Sequence, residues 1–256
     1  MDSRCVGGLT VSGAIFLSAG VPDPKRGPDF AKTADTVAIT AAVSALLYVT
    51  LGRRLLVWGG HPAITPMVHV VAEDLRIDYG SWVKLYQSQH FEDEFPEDNS
   101  RFQNVVYTEA GKDREVSLLH MRQRMFGEQQ FDAAVFIGGM QGILDEFNLF
   151  RRLQPKATAL PVLSTGGAAI LLSKEVSPGL RPDLAENLDY VALFHRHLNI
   201  SVREQRYARR DDQPIDLASR MWNNEDQPES IAAEGELFAE DDENSNDREP
   251  GAELEN

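Results

Sequence analysis

The stretch AAVFIGGMQGILDE, residues 133–146, decides the fold of this chain, because an apolar strand pattern turns into a helix pattern on two glycines. A second stretch of the same kind, LLVWGGHPAITP, occupies residues 55–66. A strand that turns into a helix on glycines brings backbone N–H groups and the positive end of a helix close to an anion, typically a nucleotide phosphate. The two stretches therefore predict a binder of nucleotide-type ligands.

Short apolar runs alternate with helix-length segments along the chain. Strands are predicted at residues 14–19, 54–58, 83–87, 104–108, 133–137 and 160–164. Helices are predicted at about 33–51, 62–75, 114–126 and 142–153, with a further helix through Leu172 and an amphipathic segment at 183–197. This alternation is typical of an α/β protein with a doubly wound, mostly parallel, Rossmann-like sheet.

Charge is distributed unevenly along the 256 residues and bears on the domain organisation. The net charge is −15, of which −12 falls in residues 223–256. This segment contains thirteen acidic residues and one basic residue, Arg248. Such a segment has too few large apolar residues to offset the entropy of ordering the chain. We expect an N-terminal extension at 1–13, one nucleotide-binding domain at 14–205 and a disordered acidic tail at 206–256.

Several classes of protein are disfavoured by composition. Cys5 is the only cysteine, which excludes an internal disulfide framework and a multi-cysteine zinc site and fits a reducing cytoplasm. The most apolar run, residues 37–51, is shorter than the roughly twenty residues that cross a bilayer. The nearly neutral body lacks the basic field that nucleic acids require. No membrane, nucleic acid, metal or cofactor is therefore predicted.

In a parallel sheet, ligands lie beyond the carboxyl ends of the strands, where neighbouring loops converge. Four loops share that predicted edge: SAGVP, GGHPAITP, GGMQGILDE and STGGAA. Their glycines let the backbone approach a ligand, and Ser164 is among the hydroxyls that can reach phosphate or ribose. The predicted ligand-binding residues are Ser18, Ala19, Gly20, Gly59, Gly60, His61, Thr65, Arg122, Gly138, Gly139, Met140, Gly142, Glu146, Thr165, Gly166 and Gly167.

Three of these residues also have ordinary structural explanations. Arg122 shares a predicted helix with other polar residues and can be a surface arginine. Glu146 lies near the start of a predicted helix, where the helix dipole favours an acidic side chain. His61 can donate to a ligand or only cap its turn.

Residues 14–172 resemble the SLOG superfamily, which joins the LOG-type nucleotide phosphoribohydrolases to DprA-like proteins. The most specific part is MRQRMFGEQQFDAAVFIGGMQGILDE, which is similar to the LOG pattern of an Arg-bearing helix, a strand and PGGxGTxxE. Arg122, sixteen residues before Gly138, matches the motif arginine, and Glu146 takes the place of the motif glutamate. Ile137 replaces the proline, Ile143 replaces the threonine, and the glycine loop is one residue longer.

The resemblance leaves two functions open. The motifs GGMxGIxxE and STGGAA are similar to SLOG branches associated with TIR and sirtuin-type prokaryotic defence proteins, which implies sensing of an NAD-derived, ADP-ribose-like nucleotide. That function needs an effector protein as partner, and the family also implies a homo-oligomer. The alternative is a phosphoribohydrolase that cleaves the N-glycosidic bond of a nucleoside 5'-monophosphate, with Glu146 and Arg122 as catalytic residues. The altered loop favours the sensor over the enzyme.

Overall fold

The computed structural model describes residues 13–95 and 102–222 of the chain. Six strands form one sheet: β1 (Ala14–Gly20), β2 (Leu56–Trp58), β3 (Val83–Ser88), β4 (Val105–Thr108), β5 (Phe131–Gly138) and β6 (Thr158–Val162). Every neighbouring pair is parallel, and the spatial order is β4-β3-β2-β1-β5-β6. The predicted α/β, doubly wound parallel sheet is thereby confirmed.

Eight helices connect and cover the strands in the described part of the chain. They are α1 (Pro28–Thr33), α2 (Thr36–Thr50), α3 (Thr65–Asp74), α4 (Tyr79–Trp82), α5 (Arg114–Gly127), α6 (Gln141–Leu153), α7 (Arg181–Glu186) and α8 (Tyr190–His197). Short 3-10 segments lie at Gln89–Glu94, Leu163–Thr165, Ala169–Glu175, Arg210–Asp212 and Ala218–Arg220. None of the described helices is long and apolar enough to cross a membrane.

The structure refines several of the predicted elements. The helix expected at 33–51 is α2, which begins at Thr36 because the Asp35 side chain accepts hydrogen bonds from Val37 N and Ala38 N, while α1 before it was not predicted. The amphipathic segment expected at 183–197 is two helices, α7 and α8. The last strand ends at Val162 rather than Ser164, and the helix after the third glycine pair is the 3-10 segment Ala169–Glu175.

Alternation along the central strand divides the core between the two faces of the sheet. Ile15 and Leu17 point towards α2, α3 and α8, and Phe16 points towards α5 and α6. On the second face Phe16 meets Phe126 edge-on, with ring centroids 4.8 Å apart, and stacks on Phe150 at 6.0 Å. Both faces of the sheet are thus covered, as parallel sheets require.

The direction of winding changes between β1 and β5. Strands β1 to β4 follow one another outward on one side of β1, while β5 and β6 lie on its other side. The carboxyl ends of β1 and β5 are level, since Gly20 pairs in register with Gly138. The connections after these two strands therefore diverge and leave a crevice at this edge of the sheet.

The folded unit extends to Met221, beyond the boundary at residue 205 that the sequence analysis places there. Tyr207 N donates to Gly52 O at 2.9 Å, and the Trp82 indole N–H donates to Ala208 O at 3.0 Å. The segment packs on the body because its backbone groups find partners there, which composition does not reveal. Residues 1–12 and 223–256 of the predicted extension and tail lie outside the described residues.

A buried ionic cluster fixes this C-terminal segment. The Glu204 carboxylate is fully enclosed and accepts from both terminal nitrogens of Arg54, at 2.6 and 3.0 Å. Arg220 Nη1 lies 3.6 Å from the same carboxylate. Arg53 Nε donates to the Glu204 carbonyl at 2.7 Å, and burial lowers the pKa of Arg53 to about 10.

We expect Glu204→Ala to lower the free energy of unfolding by roughly 3–5 kcal/mol, because it leaves buried arginines without their counter-charge. Urea denaturation of the purified protein measures the change. Glu175→Ala is the matched control, since Glu175 also pairs with an arginine, Arg151, but at an exposed site. That control should cost less than about 1 kcal/mol. Equal losses in the two variants would contradict the role assigned to the buried cluster.

Candidate functional site

A cavity of about 450 Å³ lies beyond the carboxyl ends of β1, β2, β3 and β5, at the point where the winding reverses. Its size falls within the range of small-molecule sites, which is about 300–1,000 Å³. Helices α5 and α6 form one wall. Eleven of the predicted residues line it: Ser18, Ala19, Gly20, Gly59, Gly60, His61, Arg122, Gly139, Met140, Gly142 and Glu146.

Two backbone segments touch at the floor of the cavity. Gly139 N donates to Gly20 O at 2.7 Å, which joins the loop after β5 to the end of β1. Gly139 has a φ of +68°, and a Cβ there would lie 2.2 Å from Cγ1 of Ile143, so only glycine fits this turn. Helix α6 begins directly after the turn, and no side chain caps its start. Its first amide groups therefore offer a partial positive charge at the cavity.

Glu146 is held in the cavity by one side chain on each side. The Ser18 hydroxyl, from β1, donates to Glu146 Oε2 at 2.5 Å. Arg122 Nε, from α5, donates to Glu146 Oε1 at 3.1 Å. Ser18 and Arg122 are both buried, so the carboxylate has a fixed orientation. The arrangement joins β1, α5 and α6 across the point where the winding reverses.

The guanidinium of Arg122 serves several acceptors on α6. Besides Glu146, its Nη2 donates to Gly142 O at 3.4 Å, and its Nη1 lies 3.8 Å from Asp145 Oδ2. Two carboxylates therefore offset the positive charge of Arg122, and part of its hydrogen-bonding capacity positions Glu146. The two structural explanations that the sequence left open therefore do not hold as stated. Arg122 is buried rather than a surface arginine, and Glu146 bonds two side chains besides lying near a helix start.

His61 combines the two roles that the sequence allows. Its Nδ1 accepts a hydrogen bond from Ala63 N at 3.2 Å, so the neutral ring carries its proton on Nε2. Nε2 lies beside Gly20, 3.5 Å from the position that a Cβ on Gly20 would take. Burial, and secondly the positive charge of Arg26, lower the pKa of His61 below its usual value. At neutral pH His61 is therefore an uncharged donor at the glycine edge of the cavity.

Five predicted residues do not line the cavity: Thr65, Gly138, Thr165, Gly166 and Gly167. The buried Thr65 hydroxyl donates to His61 O at 3.0 Å and secures the turn before α3. The Thr165 hydroxyl accepts from Gly138 N at 2.9 Å. The third glycine turn, at Gly166 and Gly167, packs behind the Gly138–Gly139 turn, since Ala168 N donates to Gly139 O at 2.9 Å. These contacts support the floor of the cavity.

The hydroxyl of Ser164, also considered as a ligand contact, lies 3.0 Å from the Tyr190 hydroxyl and outside the cavity. His197, which forms a His-x-His pair with His195, has its Nε2 2.6 Å from Asp183 Oδ2. Within residues 13–95 and 102–222, no three histidine, cysteine, aspartate or glutamate side chains cluster as a metal site would require.

Sequence reasoning missed a second part of the cavity wall. It is formed by polar residues and by aromatic or apolar ones, which are Asp23, Arg26, Gln87, Arg114, Phe91, Phe95, Leu118 and Met121. Gln87 could have been predicted, because ligands lie beyond strand ends and Gln87 is the predicted end of β3. The sequence contains no such signal for Arg114 and Met121, because their position depends on how α5 packs.

The fold and the site define a Rossmann-like α/β protein with a glycine-edged cavity at the reversal of its sheet. The profile of the SLOG cluster3 family matches residues 29–198. This match covers well over half of the chain, and the protein therefore belongs to the SLOG cluster3 family. Membership fits a nucleotide-related binding or LOG-like role. No curated protein and no solved structure shows a significant match to the chain.

The electrostatics of His61 lead to a pH prediction. The pKa of His61 is lower in the folded chain than in the unfolded chain, where it is about 6.5. As the pH drops from above 6.5 to below the lowered pKa, the unfolded chain takes up a proton that the folded chain does not, so the free energy of unfolding falls. We expect Arg26→Gln to raise the pKa of His61 only slightly, since burial is the larger cause. NMR titration of the His61 ring protons measures this, with the exposed Arg152→Gln as the control. A pKa unchanged by Arg26→Gln would show that Arg26 exerts no field at His61.

Proposed function

We propose that this protein binds and senses a nucleotide or an NAD-derived, ADP-ribose-like molecule. The observation that carries the proposal is the cavity at the β1/β5 reversal, where the Gly139 turn and the uncapped start of α6 meet Ser18, Arg122 and Glu146. Backbone amides at a helix start attract an anionic group. Hydroxyl, imidazole and carboxylate groups beside them are suited to ribose hydroxyls.

The charges on the cavity wall support an anionic ligand. Three arginines line the cavity, Arg26, Arg114 and Arg122, against the carboxylates of Asp23 and Glu146. Since Arg122 is already paired with Glu146, Arg26 and Arg114 supply the remaining positive charge. Arg114 is the first residue of α5, where a cation opposes the helix dipole and gains from an anion nearby.

A signalling role in a prokaryotic defence system is the biological setting that we propose, by resemblance to the TIR- and sirtuin-associated branches. In this setting, ligand binding is passed to an effector protein, and copies of the chain assemble into a homo-oligomer. The support is the family membership together with a site that has the groups for recognition.

Hydrolysis of a nucleoside 5'-monophosphate is the second candidate function. Its support is the Glu146 carboxylate, which faces the cavity and is oriented from two sides by Ser18 and Arg122. A carboxylate so placed can stabilise the sugar cation that forms as an N-glycosidic bond breaks. The enzyme is second because Ile137 and Ile143 replace the proline and threonine of the LOG pattern.

Arg122→Ala should weaken binding of the nucleotide at least tenfold, because a hydrogen bond to a charged group contributes about 1.5–3 kcal/mol and Glu146 also loses its partner. A thermal-shift screen against AMP, ADP-ribose, cyclic ADP-ribose isomers and NAD identifies the ligand, and calorimetry gives the dissociation constants. Arg124→Ala is the matched control, since Arg124 lies on the same helix but pairs with Glu128 outside the cavity. A dissociation constant that is unchanged in Arg122→Ala would refute the placement of the ligand.

Chromatography of the same mixtures separates the two functions. For a sensor we expect the ligand to be recovered intact from both the wild type and Glu146→Gln. Release of free base by the wild type, abolished in Glu146→Gln, would instead establish the hydrolase, because the neutral amide cannot stabilise a sugar cation or take up a proton.

A further inference from the structure

The carboxamide of Gln87 is a polar group in the cavity wall without a partner among the described residues. Gln87 is the fifth residue of β3, is 7% exposed and lines the cavity. Its backbone carbonyl accepts from the Thr108 hydroxyl at 3.4 Å, but no described group bonds its side chain. The carboxamide is not fully enclosed by protein atoms, so it is accessible from the cavity. A buried amide costs free energy unless something pairs with it.

Gly60 gives this carboxamide its position. A Cβ on Gly60 would lie 2.1 Å from Gln87 Nε2, closer than any side chain allows. Gly60 also has a φ of +75°, which favours glycine. The second glycine of the LLVWGGHPAITP turn thus makes room for Gln87 beside the cavity, a use that the phosphate-turn interpretation of this motif does not include.

Aromatic rings stand in the same wall, just beyond the end of β3. Phe91 and Phe95 follow β3 directly, are half-buried and line the cavity. The Phe95 ring packs on Tyr107 of β4 with centroids 6.0 Å apart, and the Arg114 guanidinium lies 5.8 Å from the Phe91 ring centre. The two rings are therefore supported from β4 and α5 and present apolar surface to a ligand.

The Gln87 end and the Glu146 end of the cavity are separate. Strands β5, β1, β2 and β3 are successive neighbours in the sheet, and three strand spacings amount to roughly 14 Å. Ser18, Gly139 and Glu146 lie at the β1/β5 end, whereas Gln87 and the two phenylalanines follow β3, with Arg114 beside Phe91. A ligand that fills the cavity meets phosphate- and ribose-type partners at one end and an aromatic and amide environment at the other.

We infer that Gln87, Phe91 and Phe95 form a nucleobase subsite, which takes a planar heterocycle with a hydrogen-bond donor beside an acceptor, such as the amino edge of adenine. This inference rests on the proposed function. The rings stack on the faces of the base, which every base offers. The carboxamide of Gln87 has both an acceptor and donors and pairs with an adenine edge in two places. Gln87 therefore sets the specificity for the base.

The test compares AMP with ribose 5-phosphate, which has the same sugar phosphate but no base, in NMR titrations that also detect weak binding. Gln87→Leu should weaken AMP binding by about tenfold or more, since a two-point amide–base pair discriminates at that level. Its affinity for ribose 5-phosphate should remain that of the wild type. Phe91→Ala, a half-buried position where truncation perturbs the fold less, should show the same selective loss. Gln103→Leu is the control, because Gln103 is exposed and outside the cavity.

The outcomes separate this subsite from the proposed function. Wild-type binding of AMP with no loss in Gln87→Leu and Phe91→Ala overturns the subsite and leaves the proposed function standing. Equal losses for AMP and ribose 5-phosphate also overturn it, because the effect is then not specific to the base. A wild-type protein that binds neither compound refutes the proposed function for this class of ligand, and the subsite with it.

Discussion

The hydrogen bond from Gly139 N to Gly20 O is the contact on which the candidate site depends. It forms where β1 and β5 end level with each other and their connections diverge. The turn that makes this contact requires two glycines, because a Cβ on Gly138 would lie 2.8 Å from Gly20 O and a Cβ on Gly139 would lie 2.2 Å from Cγ1 of Ile143. This contact fixes the start of α6, and with it Gly142 and Glu146, against the end of the central strand.

Glu146 transmits that arrangement to the opposite wall. Its two oxygens bond Ser18 on β1 and Arg122 on α5, so a single carboxylate joins three elements that meet only in the folded chain. The pair with Arg122 is mostly shielded from water, which strengthens its electrostatic interaction relative to an exposed pair. A ligand therefore meets a site whose polar groups are already oriented, which lowers the entropic cost of binding.

The two ends of the cavity carry different chemical groups, and the order of the strands determines which groups lie at each end. The carboxyl ends of parallel strands all lie at one edge of the sheet, so functional groups from distant parts of the sequence come together there. The β1/β5 end carries backbone amides, His61, Arg122 and Glu146, while the region after β3 carries Gln87 and aromatic rings. The Glu204 cluster fixes the segment after α8 to Arg53 and Arg54, just beyond the end of α2, and lies apart from the cavity.

The sequence by itself determined the class of fold and the glycine edge of the site. The alternation of apolar runs and helices reports local burial, and paired glycines report backbone conformations, both of which are properties of short segments. It also named Arg122 and Glu146, through the spacing of a family motif. These signals are properties of short segments or of the spacing within one motif, so they can be read without the tertiary structure.

Only the tertiary structure decided which polar residues meet. The third glycine turn has the same local pattern as the others, yet Thr165 and its neighbours support the floor because β6 lies one strand away from the reversal. Gln87 joins the cavity because Gly60, on the neighbouring strand's connection, leaves space for it. The ordered segment up to Met221 depends on Glu204 reaching Arg54, 150 residues away in sequence. Contacts between distant residues depend on the packing of the whole chain, and no short stretch of sequence encodes them.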